Sequence, residues 1–264
     1  MDPWAGGYDP HALLLSKVET LNNLRGDLKG YDCPLCKNRG YISRISQEET
    51  LVTVPCSCQY YRRCLQKMQR SGLQGDLKSY RLEGFSAEED WQKAMLQGAK
   101  DYLADPGGWL LFSGQSGCGK TYLCICIARQ LLLRGKQLIY MSWTEEIQIL
   151  KSFEDREQRD RKLEELKNAE YLYIDDLLKS PGTPSRGDLT AAIRLLGSRY
   201  NSRKPTILST ELLPEELMEL DEALGGRILE LSRTVVIKRD IRRNYRLKLA
   251  EKKDRPEVSP AAVL

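Results

Sequence analysis

Gly114-Gln115-Ser116-Gly117-Cys118-Gly119-Lys120-Thr121 is the stretch that decides the fold. It fits GxxxxGK[ST] at every defined position. The short apolar run Trp109-Leu110-Leu111-Phe112-Ser113 leads into it, and Tyr122 to Leu133, helical in character, follows it and stops at Gly135. A strand, a glycine-rich loop and a helix in that order make a P-loop, in which backbone N–H groups converge on phosphate oxygens and the helix N-terminus adds a favourable dipole. Lys120 is placed to reach the β- and γ-phosphates and the Thr121 hydroxyl to ligate Mg²⁺. Gly114 to Tyr122 are therefore the candidate ATP contacts.

Mg²⁺ needs a carboxylate at the end of a neighbouring strand, and Tyr171-Leu172-Tyr173-Ile174-Asp175-Asp176 supplies it downstream. Asp175 is the expected partner of the metal, through water, and Asp176 is placed to orient or deprotonate the attacking water. Two strand-end carboxylates can also cap a helix, but a P-loop upstream favours catalysis. Further buried-strand candidates are Gln137 to Met141, Thr206 to Ser209 after a helix from about Asp188 to Tyr200, and Thr234 to Ile237. Alternating strands and helices predict an α/β fold whose mostly parallel sheet is covered on both faces.

Upstream of this core lie Cys33-Pro-Leu-Cys36 and Cys56-Ser-Cys58, four of eight cysteines. Two close pairs, each on a short turn and joined by a segment long enough for a hairpin, suit a tetrahedral S4 zinc site. Gly40 to Ile45 and Thr50 to Val54 read as the hairpin strands. The bland alternative is four incidental thiols, and CxC is tighter than the usual CxxC. Cys64, on a helix predicted after the second pair, reads as a packing or surface thiol. The site looks structural and closed, and so small a region needs its metal to fold. An amphipathic helix over Ala12 to Leu28, with Leu13, Leu14, Val18, Leu21 and Leu24 near a period of 3.6, precedes it.

The chain has 264 residues, with 41 Lys/Arg against 37 Asp/Glu and 41% hydrophobic content. That is globular and suits one ordinary domain plus a small module. No apolar run approaches the length of a membrane span. Met1-Asp2-Pro3-Trp4 has no basic region followed by an apolar core, so a cytoplasmic location without disulfides is expected. A net charge of +4 is too weak to declare a nucleic-acid partner, which must be argued from local patches. Arg62 to Arg81 is basic and broken by Gly72 and Gly75, marking a linker between a module over 1–75 and a core over 76–264. The patch either touches nucleic acid or keeps a linker solvated. Lys151 to Lys167 is charge-balanced and reads as a solvated helix. Arg227 to Arg255, at +7, is the better candidate for salt-sensitive phosphate-backbone contact.

With the P-loop, the strand ending in Asp175-Asp176 and the strand Thr206 to Ser209 followed by Thr210-Glu211, the chain resembles an AAA+ ATPase of the DnaC/DnaI helicase-loader group. The IstB transposition ATPases look similar across the same core. Tyr80-Arg81-Leu82-Glu83-Gly84-Phe85 resembles the family's aromatic segment beside the nucleotide base, which makes Phe85 a candidate contact. Arg199 to Thr206 resembles its lead into the sensor strand. Asp221 to Ile228 looks like its arginine-finger helix, and Asn244-Tyr245-Arg246-Leu247-Lys248 resembles the ending of members that also carry a Cys-rich N-terminal module. The resemblance implies that Glu211 or Thr210 reads the γ-phosphate, with Glu where many relatives have Asn. It also implies that Arg227 reaches the ATP site of an adjacent subunit, and that an extra helix over Thr144 to Asn168 follows the second core strand. It further implies a loader that binds a replicative helicase and single-stranded DNA and forms a homo-oligomer with ATP. The alternative is an IstB-like transposition helper.

Overall fold

The computed structural model describes residues 9–70, 79–151, 155–245 and 247. The chain divides into two compact units, one ending at Gln66 and the other beginning at Lys67. The linker expected around Gly72 and Gly75 lies outside the described residues, as does the 75/76 boundary drawn from it.

The first unit holds α1 (Pro10–Asn23), an antiparallel hairpin of β1 (Tyr41–Ile45) and β2 (Leu51–Pro55), and the start of α2 (Cys58–Arg70). Helix α1 ends earlier than its apolar spacing suggests. Leu24 is extended, with φ −63° and ψ 141°. The chain beyond it pairs with the first cysteine turn instead, Gly26 N–H donating to Lys37 O at 2.8 Å and Leu28 N–H to Asn38 O at 3.2 Å. Asn22 holds α1 to the hairpin, its amide both donating to Ser43 O and accepting from Ser43 N–H at 2.8 Å.

The second unit begins its regular structure with α3 (Asp90–Ala104) and continues as β3 (Trp109–Gly114), α4 (Lys120–Leu133), β4 (Leu138–Ser142), α5 (Trp143–Lys151), α6 (Arg156–Asn168) and β5 (Tyr171–Asp175). It closes with α7 (Arg186–Asn201), β6 (Thr206–Thr210), α8 (Pro214–Leu220), α9 (Glu222–Leu231) and β7 (Ser232–Ile237). The five strands are parallel in the order β4-β5-β6-β3-β7. Strands β3, β5 and β6 are buried along their whole length, as strands covered on both faces must be. Trp109 and Leu111 of β3 join one apolar cluster with Leu163 of α6, Leu195 of α7 and Ile228 of α9. Helices α3 and α4 pack on each other beside the sheet.

The Thr144 to Asn168 segment is two helices rather than one. Arg161–Glu157, Lys162–Glu165 and Lys167–Glu164 ion pairs run along α6, the behaviour of a charge-balanced solvated surface. Among the described residues, no helix is long and apolar enough to cross a membrane.

Arg199 on α7 is fully buried. Its guanidinium donates to Leu166 O and Ala169 O at 2.9 Å, Pro205 O at 2.6 Å and Thr206 Oγ1 at 2.9 Å, so it caps the C-terminal end of α6 and ties α6 and α7 to β6. Burial pulls its pKa down to about 10, which leaves it charged at neutral pH. Arg199→Met is expected to destabilise the larger unit by at least about 3 kcal/mol in chemical denaturation, because several buried acceptors lose their donor at once. A loss below about 1 kcal/mol would mean that water replaces the guanidinium.

Candidate functional site

The sheet order places β6 between the P-loop strand β3 and the Asp175 strand β5, and the ends of all three open into one cavity of about 500 Å³. Its walls include Lys120, Thr121, Asp175, Asp176, Lys179 and Glu211. That volume falls in the usual range for small-molecule sites.

The loop's backbone explains its glycines. Gly117 has φ 77° and Gly119 φ 99°, in the left-handed region where a side chain is strained. A Cβ on Gly119 would also meet the Phe85 ring at 2.8 Å. Helix α4 begins at Lys120, two residues before the expected start. No side-chain cap forms at Gly119, so the N-terminal end of α4 is open to an anion. Lys120 is nearly buried and donates to Gly114 O at 2.6 Å and Gln115 O at 2.7 Å.

Asp175 sits at the end of β5, 7% exposed. Its Oδ1 accepts from Thr121 Oγ1 at 3.0 Å, Tyr173 OH at 2.7 Å and Ser209 Oγ at 2.5 Å. Burial pushes this carboxyl above its ordinary range and Asp176 adds to the effect, against the three hydroxyl donors. A cation beside it reverses that balance. Thr121 Oγ1 donates to Asp175 Oδ1 at 3.0 Å, so a hydroxyl and a carboxylate, the hard oxygen donors that suit Mg²⁺, stand together at the cavity wall and fit the ion with Asp175 reaching it through water.

Asp176 has φ 55°, its N–H donates to Ser209 Oγ at 3.0 Å, and its Oδ2 lies 2.9 Å from Lys179 Nζ. The two sensor candidates separate cleanly. Thr210 is fully buried and donates to Leu177 O at 2.8 Å, whereas Glu211 lines the cavity and pairs with Lys179 at 2.9 Å. Burial pushes the Glu211 carboxyl up, but Lys179, Lys120 and Ser116 outweigh it and hold it below its usual range. Phe85 and Tyr122 line the cavity beside Tyr80, with Phe85 and Tyr122 ring centroids 5.9 Å apart and Tyr80 and Tyr122 5.1 Å apart.

Two donors to Asp175, Tyr173 and Ser209, and the cavity residue Lys179 are absent from the sequence reading of the site. Tyr173 carries the faint signal of standing two residues before Asp175 on one strand, hence on the same face. Ser209 reaches Asp175 because β6 pairs with β5, Ile174 opposite Leu208. Lys179 has no pattern of its own. Arg227, by contrast, lies away from the cavity, with its guanidinium 6.0 Å from the Tyr200 ring centroid, where Arg203 also packs at 4.9 Å.

In the first unit, the Sγ atoms of Cys33, Cys36, Cys56 and Cys58 all lie within 4.8 Å of one another, and all four residues are buried. The Cys33–Cys56 and Cys36–Cys58 separations of 3.8 and 3.5 Å lie at and just below the edge of about 3.8 Å expected for a ZnS4 tetrahedron. Left-handed Lys37 and Asn38 turn the chain so that Gly40 N–H donates to Cys36 Sγ at 3.3 Å. Cys64 is buried on α2 but is not part of the cluster. Four thiolates this close repel one another unless a cation joins them, so the donor set fits Zn²⁺.

Several residues of the basic patches have partners within the protein. Arg62 donates to Tyr31 O at 2.7 Å and Asn38 Oδ1 at 3.1 Å, bracing the cysteine module. Arg233 pairs with Asp105, Arg239 with Glu216 and Arg242 with Asp240. Arg246 and the basic residues from Lys248 onward lie outside the described residues.

A family model described as IstB-like ATP binding protein matches residues 62–251. The chain belongs to the IstB-like ATP-binding protein family. Like the IstB-like family at large it is a P-loop ATPase, and its core is AAA+ in sheet order and motif placement. It is 33% identical over 219 residues to the phage-like element PBSX protein XkdC of Bacillus subtilis (strain 168), covering 78% of this chain and 81% of that protein. It is 28% identical over 176 residues to the replicative helicase loader DnaC of Escherichia coli (strain K12), covering 63% and 70%. Among solved structures, a crystal structure of the DnaC helicase loader superposes with a TM-score of 0.55 and 22% identity, covering 61% of this chain and 98% of that one, a likeness of fold.

Proposed function

We propose that this IstB-like ATPase is a helicase loader. It holds a replicative helicase through its helix and cysteine module, while its ATPase core assembles as a homo-oligomer on single-stranded DNA in the cytoplasm. The observation that carries the reading is the buried four-cysteine cluster set ahead of a complete P-loop core, in a chain related to a protein named as a replicative helicase loader.

In this reading ATP lies along Gly114 to Tyr122 with its base against Phe85, and Lys120 neutralises phosphate charge. Thr121 and Asp175 hold Mg²⁺, which supplies charge neutralisation at the phosphates. Asp176 orients the attacking water, Glu211 stands at the γ-phosphate end, and Arg227 serves the cavity of a neighbouring copy in trans. Its position away from its own cavity supports that assignment. Zn²⁺ on Cys33, Cys36, Cys56 and Cys58 is structural.

The transposition helper is the competing reading, favoured by the description of the matching family. Size analysis of the intact chain with the host's replicative helicase, with and without ATP, separates them. A stable complex that is lost in the variant carrying Cys33→Ser and Cys56→Ser supports the loader. ATP-driven assembly on DNA without any helicase complex supports the transposition helper and removes the loader.

A further inference from the structure

Lys120 and Lys179 are the two Lys or Arg side chains lining the cavity among the described residues. Lys120 is accounted for by the P-loop, but Lys179 is not. Its Nζ stands 2.9 Å from both Asp176 Oδ2 and Glu211 Oε1, and its side chain remains 38% exposed, within reach of a ligand.

The turn that presents it is held in an uncommon backbone conformation. Asp176 has φ 55° and Leu178 φ 60°, and Lys179 N–H donates to Asp176 O at 3.0 Å. Two non-glycine residues in the left-handed region cost conformational free energy and persist only where the surroundings enforce them. Leu177 and Leu178 are buried, Leu177 N–H donates to Ser209 O at 2.8 Å, and Thr210 Oγ1 donates to Leu177 O at 2.8 Å. The end of β6 thus locks the turn, and its outer residues, Asp176 and Lys179, face the cavity together.

Charge states why a cation is needed there. Asp175, Asp176 and Glu211 bring three carboxylates to one end of a cavity that takes a polyphosphate, and Lys120 is engaged with the loop's own carbonyls. A carboxylate at the Glu211 position repels the terminal phosphate unless a mobile cation accompanies it. We propose that Lys179 reads the γ-phosphate of bound ATP, with Glu211 and Asp176 as the carboxylates that hold its ammonium ready. This rests on the cavity being the nucleotide site. A flexible ammonium shared by two carboxylates can turn to a phosphate oxygen without leaving either partner buried and unpaired, since all three side chains reach solvent. ADP ends short of that position, so Lys179 distinguishes ATP from ADP.

The test is equilibrium titration of the full chain, with Mg²⁺, using ADP and a non-hydrolysable ATP analogue. Lys179→Ala is expected to weaken the triphosphate by about tenfold or more while ADP changes less than about threefold. Lys179→Arg should keep most of the preference, and melting curves of each variant check folding. The variant combining Lys179→Ala with Glu211→Gln removes both charges and should still bind the triphosphate poorly. If the pair of changes restores binding, Lys179 is a counter-ion to Glu211 and the proposal is overturned. Binding of both nucleotides with an unchanged preference in Lys179→Ala also overturns it, and this proposal alone. Failure of the unmodified chain to bind either nucleotide overturns the nucleotide site itself and the proposal with it.

Discussion

Asp176→Asn is expected to lower ATP turnover by at least about a hundredfold while ATP affinity stays within about threefold of the unmodified chain. The side chain lines the cavity one residue beyond Asp175, and its backbone N–H is fixed by Ser209 Oγ, the same oxygen that donates to Asp175. One hydroxyl therefore sets the spacing between the proposed metal-side carboxylate and the proposed water-side carboxylate. The substitution is clean for a backbone reason. Position 176 has φ 55°, and Asn tolerates that region as readily as Asp, whereas Ala there would add strain and confuse a chemical loss with a conformational one. Asn keeps the shape and removes the charge that accepts a proton. Single-turnover and steady-state hydrolysis, set beside nucleotide titration, separate chemistry from binding. Turnover within threefold of the unmodified chain would move the role to another cavity carboxylate, Glu211 beside Lys179, and Glu211→Gln would then show the large loss.

What could be read from residue order alone follows a physical line. The P-loop is legible because its chemistry is carried by consecutive backbone groups, and the strands on either side are legible because burial on both faces demands unbroken apolar runs such as Trp109 to Phe112. The cysteine cluster is legible because each pair sits on one turn. Features that depend on strand order are not. Ser209 meets Asp175 only because β6 lies between β3 and β5, a pairing that no local pattern announces. Lys179 joins Asp176 and Glu211 across a turn whose left-handed residues are not glycines. Arg199 reads as a surface residue by type, yet it is fully buried and holds the end of α6. Counting charge over Arg227 to Arg255 leaves out partners from elsewhere in the chain, since Arg233 faces Asp105 and Arg239 faces Glu216 in space. The apolar spacing carried α1 too far because the backbone at Gly26 and Leu28 is engaged by the cysteine turn.

Removing zinc is expected to unfold the first unit and leave the ATPase core folded. The apolar cluster around the cysteines consists of Cys33, Cys36, Cys56 and Cys58 with Tyr31 and Ile42 packed against them, so the thiols themselves are much of the local interior. Strands β1 and β2 have five residues each, and a lone two-stranded hairpin of that length is marginal in water. Helix α1 buries no residue completely and cannot supply the missing core. Metal analysis of purified protein should find one zinc per chain. A strong chelator, or Cys33→Ser, should remove the helix and hairpin signal of this unit and expose its thiols to modification, while nucleotide affinity changes less than about twofold. Protons compete with zinc for thiolates, so the same loss should follow acidification and be reversed by raising pH with zinc present. A chain that purifies without metal and keeps this unit folded with Cys33→Ser would instead make the four sulfurs an ordinary buried cluster. The unit's stability would then rest on contacts such as those of Arg62, which ties Tyr31 O and Asn38 Oδ1 to α2, and Arg62→Ala would destabilise it measurably.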